Sequence, residues 1–171
     1  MHMSSLLSPE LQTELIAFAQ DLVRIKSLSG QEGEVIQFIK DKMIALGFDE
    51  VRIDAMGNLL GRIGTGATKV LFDSHVDTVD VKDAAEWEIP PFSGEIAAGR
   101  LHGRGSVDMK SAAAASIYGA VRARALGYTE GKTVYVSCTV FEEDCDGENL
   151  KHLFRELNLK PDYVVICEPS S

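Results

Sequence analysis

Hydrophobic positions follow a helical period at the start of the chain. The first helix is predicted to begin at Ser8, an N-cap residue followed by a proline. Its apolar face recurs at intervals of three and four residues: Leu11, Leu15, Phe18, Leu22 and Ile25. Ser29-Gly30-Gln31-Glu32 has the form of a capping box and predicts a second amphipathic helix, which ends at Gly47.

From residue 51 onward the hydrophobic period changes to two. Residues 51–54 and 58–63 are predicted to be strands around a turn, and 69–74 is a third strand. Two further runs, 133–141 and 163–167, are rich in apolar and β-branched residues, so we expect them to be buried strands.

Helices and one long loop separate the later strands. An Ala-rich helix is predicted from Asp108 to about Leu126, and a short helix covers 148–157. Residues 79–104 have no sustained period and are expected to form a long surface loop of the kind that carries function. Strands alternating with helices predict an α/β fold, in which a mixed, largely parallel sheet is flanked by helices.

Composition and charge exclude several classes of protein. The 171 residues are 45% hydrophobic and 25% charged, as in one globular domain. With 17 Lys and Arg against 26 Asp and Glu, the net charge is −9, so nucleic acid and anionic membranes are not expected partners. No apolar run can span a bilayer, and residues 1–5 show no secretory signal. Three cysteines without CxxC spacing predict a reducing, cytoplasmic location.

Polar side chains that suit a metal ion follow three of the predicted strands, and one more begins the Ala-rich helix. In chain order they are His75, Asp77, Asp108, Glu142, Glu143 and Glu168. The carboxyl ends of parallel strands lie along one edge of a sheet, so we expect these groups to gather there. Carboxylates crowded without a cation would repel one another and would have to hold protons, whereas a bound metal ion removes that conflict.

Each of these residues also has a structural interpretation when it is taken alone. Asp108 could be only a helix N-cap, the two adjacent glutamates a solvated turn, and His75 a core histidine. Their joint occurrence at strand ends favours a metal centre. One imidazole with several carboxylates and no thiolate suits Zn²⁺, Co²⁺ or Mn²⁺, and it differs from a cysteine-rich structural zinc site.

The spacing within each pair suggests a division of roles. His75 and Asp77 share one side of an extended segment, so Asp77 can accept a hydrogen bond from the ring nitrogen that does not bind the metal. Glu142 and Glu143 point in different directions if their segment stays extended. One can then bind metal while the other acts as a base.

Four motifs resemble, in the same order, those of the M20 metallopeptidases, which include acetylornithine deacetylase, succinyl-diaminopimelate desuccinylase, aminoacylases and carboxypeptidase G. The motifs are Ser74-His75-Val76-Asp77-Thr78-Val79, Gly103-Arg104-Gly105-Ser106-Val107-Asp108-Met109-Lys110, Phe141-Glu142-Glu143-Asp144 and Cys167-Glu168-Pro169. Segments 87–105 and 142–147 are also similar to the branch of selenium-metabolism-linked hydrolases. The resemblance implies a zinc-peptidase-like catalytic domain.

The resemblance also implies a ligand set for one or two Zn²⁺ ions, or for Co²⁺ or Mn²⁺ in their place. His75 and Glu168 would hold one ion, Glu143 would hold the second, and Asp108 would bridge the two. This family shows Gly where Ser74 stands here, a small change that removes no ligand.

Two further residues acquire catalytic roles from the same resemblance. Asp77 would orient His75, and Glu142 would be the general base that activates water. The implied activity is hydrolysis of an amide bond in a small molecule, either an N-acyl amino acid or a short peptide, by a deacylase or a peptidase.

Members of the family are considerably longer than this chain. The resemblance therefore implies that 1–171 is the N-terminal portion of an incomplete catalytic domain, without the lid and dimerisation domain and without the C-terminal part that supplies a last histidine ligand. The second metal would keep only Asp108 and Glu143 and is expected to bind weakly. We expect the isolated chain to be inactive and its full-length parent, a homodimer, to cleave amides.

Other functions account for fewer of these residues. A truncated remnant that binds one metal ion or a partner, without catalysis, is the main alternative. A serine hydrolase using Ser106 or Ser74 would lack a nucleophile elbow and would leave the carboxylates unexplained. The glycines of 61–66 do not have GxGxxG spacing and precede a strand, so they indicate a hairpin connection instead of a nucleotide site.

Overall fold

A computed structural model of the chain describes residues 7–145 and 147–169. Residues 1–5, predicted to carry no secretory signal, lie outside the described part. The strands are β1 (Glu50–Ile53), β2 (Leu59–Ile63), β3 (Thr68–His75), β4 (Ile96–Ala97), β5 (Arg100–Leu101), β6 (Lys132–Thr139) and β7 (Tyr163–Ile166). The α-helices are α1 (Pro9–Arg24), α2 (Gly33–Ala45), α3 (Ser111–Ala125), α4 (Glu142–Cys145) and α5 (Glu148–Glu156).

Five strands form the central sheet in the order β1-β2-β6-β3-β7. β2 is antiparallel to β1 and β6, whereas β3 runs parallel to both β6 and β7. The sheet is therefore mixed and becomes parallel in the later half of the chain, which confirms the predicted fold class. β3 and β6 pair from Thr68 and Lys132 to His75 and Thr139, so both strands end at the same edge.

Alternate residues of the strands face two hydrophobic cores. On one face, α1, α2 and α3 pack on the sheet through a large cluster that includes Phe18, Leu22, Ile39, Met43 and Tyr118. On the other face a small cluster lies beside α5: Leu60, Leu71, Leu153 and Leu159. Among the described residues, no helix is both long and apolar enough to cross a lipid bilayer.

The helix and strand predictions are confirmed in most places and wrong in three. The loop 79–104 contains a small antiparallel hairpin, β4 with β5. Asp108 does not begin the Ala-rich helix, because its backbone (φ −117°, ψ 95°) is extended and α3 starts at Ser111. Strand β7 was expected to be buried, but its four residues are 42–63% exposed, because β7 is an edge strand of the sheet.

Two glycines of the 61–66 segment have a packing role. A Cβ atom on Gly61 would lie 2.6 Å from Met43 Sδ and 2.7 Å from Phe48 Cδ1. A Cβ atom on Gly66 would lie 2.0 Å from the carbonyl carbon of Gly131. These glycines allow close contact between β2, its neighbours and α2.

We expect Gly61→Ala to lower the free energy of unfolding by about 1–3 kcal/mol, because the added methyl group overpacks the contact with Met43 and Phe48. The matched control is Gly119→Ala in α3, where a Cβ atom meets nothing within 4 Å. Alanine has the higher helix propensity, so this control should gain about 0.5–1 kcal/mol. Urea denaturation measures both, and equal effects at the two glycines would contradict the packing role.

Candidate metal centre

The parallel strands deliver polar side chains to one edge of the sheet. His75 is the last residue of β3. Glu142 and Glu143 follow β6 within four residues, and Glu168 lies two residues beyond β7. Because β3 pairs in parallel with both neighbours, these side chains meet at the carboxyl edge. These four residues therefore lie together at the carboxyl edge of the sheet, where the sequence pattern predicts them.

Asp108 reaches the same edge from a separate turn. Residues Ser106–Lys110 form this turn before α3, and the bond between Asp108 and Met109 is a cis peptide. Lys110 closes the turn onto the end of α1: its buried Nζ donates hydrogen bonds to the carbonyl oxygens of Leu22 (2.9 Å) and Ile25 (2.6 Å). The turn is thereby held between α1 and the sheet.

His75 lies at the centre of the cluster and is 1% exposed. Its Nε2 atom is 2.9 Å from Asp108 Oδ1, 3.4 Å from Glu168 Oε1 and 3.9 Å from Glu142 Oε2. On the other side of the ring, Nδ1 is 3.0 Å from the carbonyl oxygen of Asp77. A carbonyl oxygen only accepts, so Nδ1 carries a hydrogen atom and Nε2 is the nitrogen that faces the carboxylates.

Asp77 contacts His75 differently from the expectation. The carbonyl oxygen is the nearer partner of Nδ1, and the carboxylate Oδ1 lies 3.4 Å away. The carboxylate of Asp77 mainly holds backbone: Oδ1 accepts from the N–H of Glu142 and Oδ2 from the N–H of Glu143, both at 3.1 Å. Ser29 Oγ donates to Oδ2 at 2.7 Å.

This contact also corrects the predicted capping box. The helix α2 begins at Gly33, and no side chain caps it. Ser29 is instead a partner of Asp77, 48 residues away in sequence. A serine before a glycine is a common turn pattern, so sequence alone contains no signal for this role.

Glu142 and Glu143 do not lie in an extended segment as expected. They begin the short helix α4, and the N–H groups of both point at Asp77. Their carboxylates nevertheless join different groups of side chains. A carboxylate oxygen of Glu143 lies near a ring nitrogen of His75 and a carboxylate oxygen of Asp108. A carboxylate oxygen of Glu142 lies near a ring nitrogen of His75 and a carboxylate oxygen of Glu168. Within each group these atoms are within 4.8 Å of one another.

The pKa values show the electrostatic conflict that such crowding creates. Burial by itself lowers the pKa of His75, but hydrogen bonds to Asp77 and Asp108 and the charges of Asp77 and Glu168 outweigh it and raise the pKa to about 9. Burial and the neighbouring charge of Asp108 raise the pKa of Glu143, and burial with the nearby carboxylates likewise raises the pKa of Glu168. Carboxylates that repel one another around a single imidazole are the donor set that a divalent cation stabilises.

The donor set fits a divalent metal ion. It offers one imidazole nitrogen and four carboxylates, with no thiolate nearby in either group. The carboxylates of Glu142, Asp108 and Glu168 are 28%, 50% and 40% exposed, so the cluster opens to solvent on one side. This open side leaves room for a substrate.

A third group of metal-ligand type lies elsewhere, between the β1–β2 turn and α5. Its members already have partners: Asp54 Oδ1 accepts three backbone N–H groups, and Glu156 accepts from the N–H of Ala55 and from His152. These bonds attach α5 to the turn. His152 is thus a partly exposed residue that pairs with Glu156 on the same helix.

Comparison with known proteins finds one matching family and several relatives of this chain. The model of peptidase family M20/M25/M40 matches residues 71–171. An uncharacterised protein of Escherichia coli K12, YgeY, is 36% identical over 161 residues, which cover 94% of this chain and 40% of that protein. A succinyl-diaminopimelate desuccinylase of Cereibacter sphaeroides is 44% identical over 110 residues, covering 62% of this chain and 29% of the enzyme. The chain thus spans less than half the length of either relative.

Solved structures share the fold. The dipeptidase Dug1p of Saccharomyces cerevisiae superposes with a TM-score of 0.79 at 18% identity, covering 92% of this chain and 38% of that one. The Bacillus subtilis protein YXEP, described as a dinuclear metal-binding peptidase, has a TM-score of 0.70 at 17% identity, covering 94% of this chain and 43% of that one. At these identities the likeness establishes the fold alone.

We expect Asp77→Asn to lower the free energy of unfolding by about 2–4 kcal/mol, because an amide nitrogen would face backbone N–H donors that lose their acceptor. Ser29→Ala removes only one bond to the same carboxylate and should cost about 1 kcal/mol. Thermal unfolding of the two variants checks the difference. Similar losses for both would show that Asp77 does not hold the Glu142–Glu143 backbone.

Proposed function

Because this chain belongs to peptidase family M20/M25/M40, we propose that the protein is a metal-dependent hydrolase of amide bonds. The observation that supports this most directly is the convergence of His75 with carboxylates from three other segments of the chain. The substrate class is an N-acyl amino acid or a short peptide, in keeping with the desuccinylase and dipeptidase names of the relatives. A homodimer and a cytoplasmic location complete the proposal.

The residues at the edge of the sheet would hold the metal as follows. His75 and Glu168 would hold one ion, Glu143 would hold a second, and Asp108 would contribute to holding both. Zn²⁺ is the ion we propose, with Co²⁺ or Mn²⁺ accepted by the same ligands. His75 Nε2 and Asp108 Oδ1, two of the proposed ligand atoms, already lie 2.9 Å apart in the metal-free chain.

A divalent ion in such a site polarises an amide carbonyl and makes water acidic enough to lose a proton near neutral pH. Glu142 is the proposed general base. Its carboxylate lies at the rim, partly exposed, where it can accept a proton from the attacking water and return it to the departing amine. Asp77 orients His75 and, through the N–H groups of Glu142 and Glu143, sets where both carboxylates stand.

Titration of the metal-stripped chain with Zn²⁺ tests the proposed ligands. We expect His75→Ala to weaken Zn²⁺ binding by more than about 100-fold, since loss of a ligand should exceed the effect of losing a residue that only orients one. The control is His102→Ala, whose ring Nε2 lies 3.3 Å from the carbonyl oxygen of Ala97 in the hairpin and which is in none of the groups of metal-ligand type found among the described residues. No specific Zn²⁺ binding by the unmodified chain would overturn the proposed metal site.

The variant Glu142→Gln tests whether Glu142 is a general base or a metal ligand. As the proposed base, Glu142 is not needed for binding, so this variant should bind Zn²⁺ within about threefold of the unmodified chain, against the larger loss expected for Glu143→Gln. Isothermal titration of both variants measures the difference. A loss for Glu142→Gln as large as for His75→Ala would mean that Glu142 is a ligand and that the two glutamates exchange roles.

A further inference from the structure

The turn that carries Glu142 and Glu143 is fixed by more than Asp77. Phe141, just before these residues, has a φ of 61°, in the left-handed region that a phenylalanine rarely adopts. A backbone in this conformation persists only where its surroundings determine it. The surroundings here are three buried polar side chains, Asn58, Asn149 and Glu32, none of which belongs to the metal cluster.

Asn58 holds the turn from strand β2. Its Oδ1 accepts from the N–H of Val140 at 3.0 Å. Its Nδ2 donates to Asp54 Oδ2 at 2.8 Å and to the carbonyl oxygen of Asn149 at 3.2 Å. Asp54 can only accept, so it fixes the amide with Oδ1 towards Val140. Asn58 is fully buried, and all three of these bonds are shielded from water.

Asn149 and Glu32 hold the same two residues from other elements. Asn149, in α5, donates from Nδ2 to the carbonyl oxygen of Val140 at 2.9 Å. Glu32, at the start of α2, accepts from the N–H of Phe141 at 2.9 Å through Oε1, which also accepts from the N–H of Gly30. Both side chains are buried.

Five backbone groups of residues 140–143 are therefore bound by side chains from four different segments. Asn58, Asn149 and Glu32 hold Val140 and Phe141, and Asp77 holds the N–H groups of the two glutamates that follow. Buried backbone groups need hydrogen-bond partners, but water or other backbone groups could supply them as well as four buried side chains. These bonds fix the backbone directly before Glu142 and Glu143, and the direction of both carboxylates depends on that backbone.

We propose that Asn58, Asn149 and Glu32 are positioning residues, which hold the backbone of 140–141 so that the carboxylates of Glu142 and Glu143 face His75 before metal or substrate binds. The inference rests on the proposed metal site, since it assigns these residues a role in preparing it. A preorganised ligand loses less freedom when the ion binds, so these residues are expected to raise metal affinity from a distance.

The test compares four variants of the chain. Glu32→Met and Asn149→Leu remove one bond each to the turn and preserve approximate volume. Glu32→Gln keeps an oxygen that can accept from Gly30 and Phe141 and is the conservative variant. Thr133→Val is the matched control: Thr133 is buried, and the change removes its partly buried bond of 2.6 Å from Oγ1 to the carbonyl oxygen of Gly66, at the opposite end of β6.

Amide hydrogen exchange measured by NMR is the first readout. We expect the N–H groups of Glu142 and Glu143 to exchange at least about tenfold faster in Glu32→Met and Asn149→Leu, relative to amide groups in the middle of β6, with Glu32→Gln and Thr133→Val unchanged. Unchanged exchange at 142–143, or an equal loss in Thr133→Val, would overturn the proposal.

Zn²⁺ affinity of the same variants is the second readout, and it separates the two proposals. The positioning role predicts weaker Zn²⁺ binding, by about tenfold, in the two variants that expose 142–143 to exchange. Faster exchange with unchanged Zn²⁺ affinity would overturn the role in metal binding. An unmodified chain that protects 142–143 but binds no Zn²⁺ would overturn the proposed function and leave the measured effect on the turn intact.

Discussion

Electrostatic repulsion among carboxylates is the constraint around which this molecule is arranged. Asp77, Asp108, Glu143 and Glu168 surround one buried imidazole, in a chain that already carries a net charge of −9. In the metal-free chain the conflict is relieved by protons: the pKa values of His75, Glu143 and Glu168 are all raised. A divalent cation relieves the same conflict without protons, and it does so at a place that solvent can reach.

The sheet produces this crowding through parallel pairing. β3 shares its end with β6 and with β7, so three connections begin side by side, and each carries an acidic or imidazole side chain within a few residues of its strand. Asp108 arrives from the turn that Lys110 fastens to α1. The chain belongs to peptidase family M20/M25/M40, but a fold does not by itself determine which substrate is bound.

Buried polar side chains behind the cluster hold the backbone that carries two of its carboxylates. Asp77 contacts His75 on one side and binds the backbone N–H groups of Glu142 and Glu143 on the other. Asn58 just before β2, Asn149 in α5 and Glu32 just before α2 extend this support, and all three side chains are buried. The backbone that carries Glu142 and Glu143 is thus held by side chains from several other segments of the chain.

Hydrophobic periodicity was sufficient to predict nearly every helix and strand, because burial of one face imposes a period that the residues display directly. The order of polar residues after strands was also enough to identify the side chains that the fold brings together. The buried position expected for β7 was wrong, because exposure of an edge depends on what lies beside it. The bonds of Ser29 to Asp77, of Lys110 to Leu22 and of Asn58 to Val140 could not be predicted either, since each joins residues at least 48 positions apart. Such contacts are decided by three-dimensional packing, and no local pattern records them.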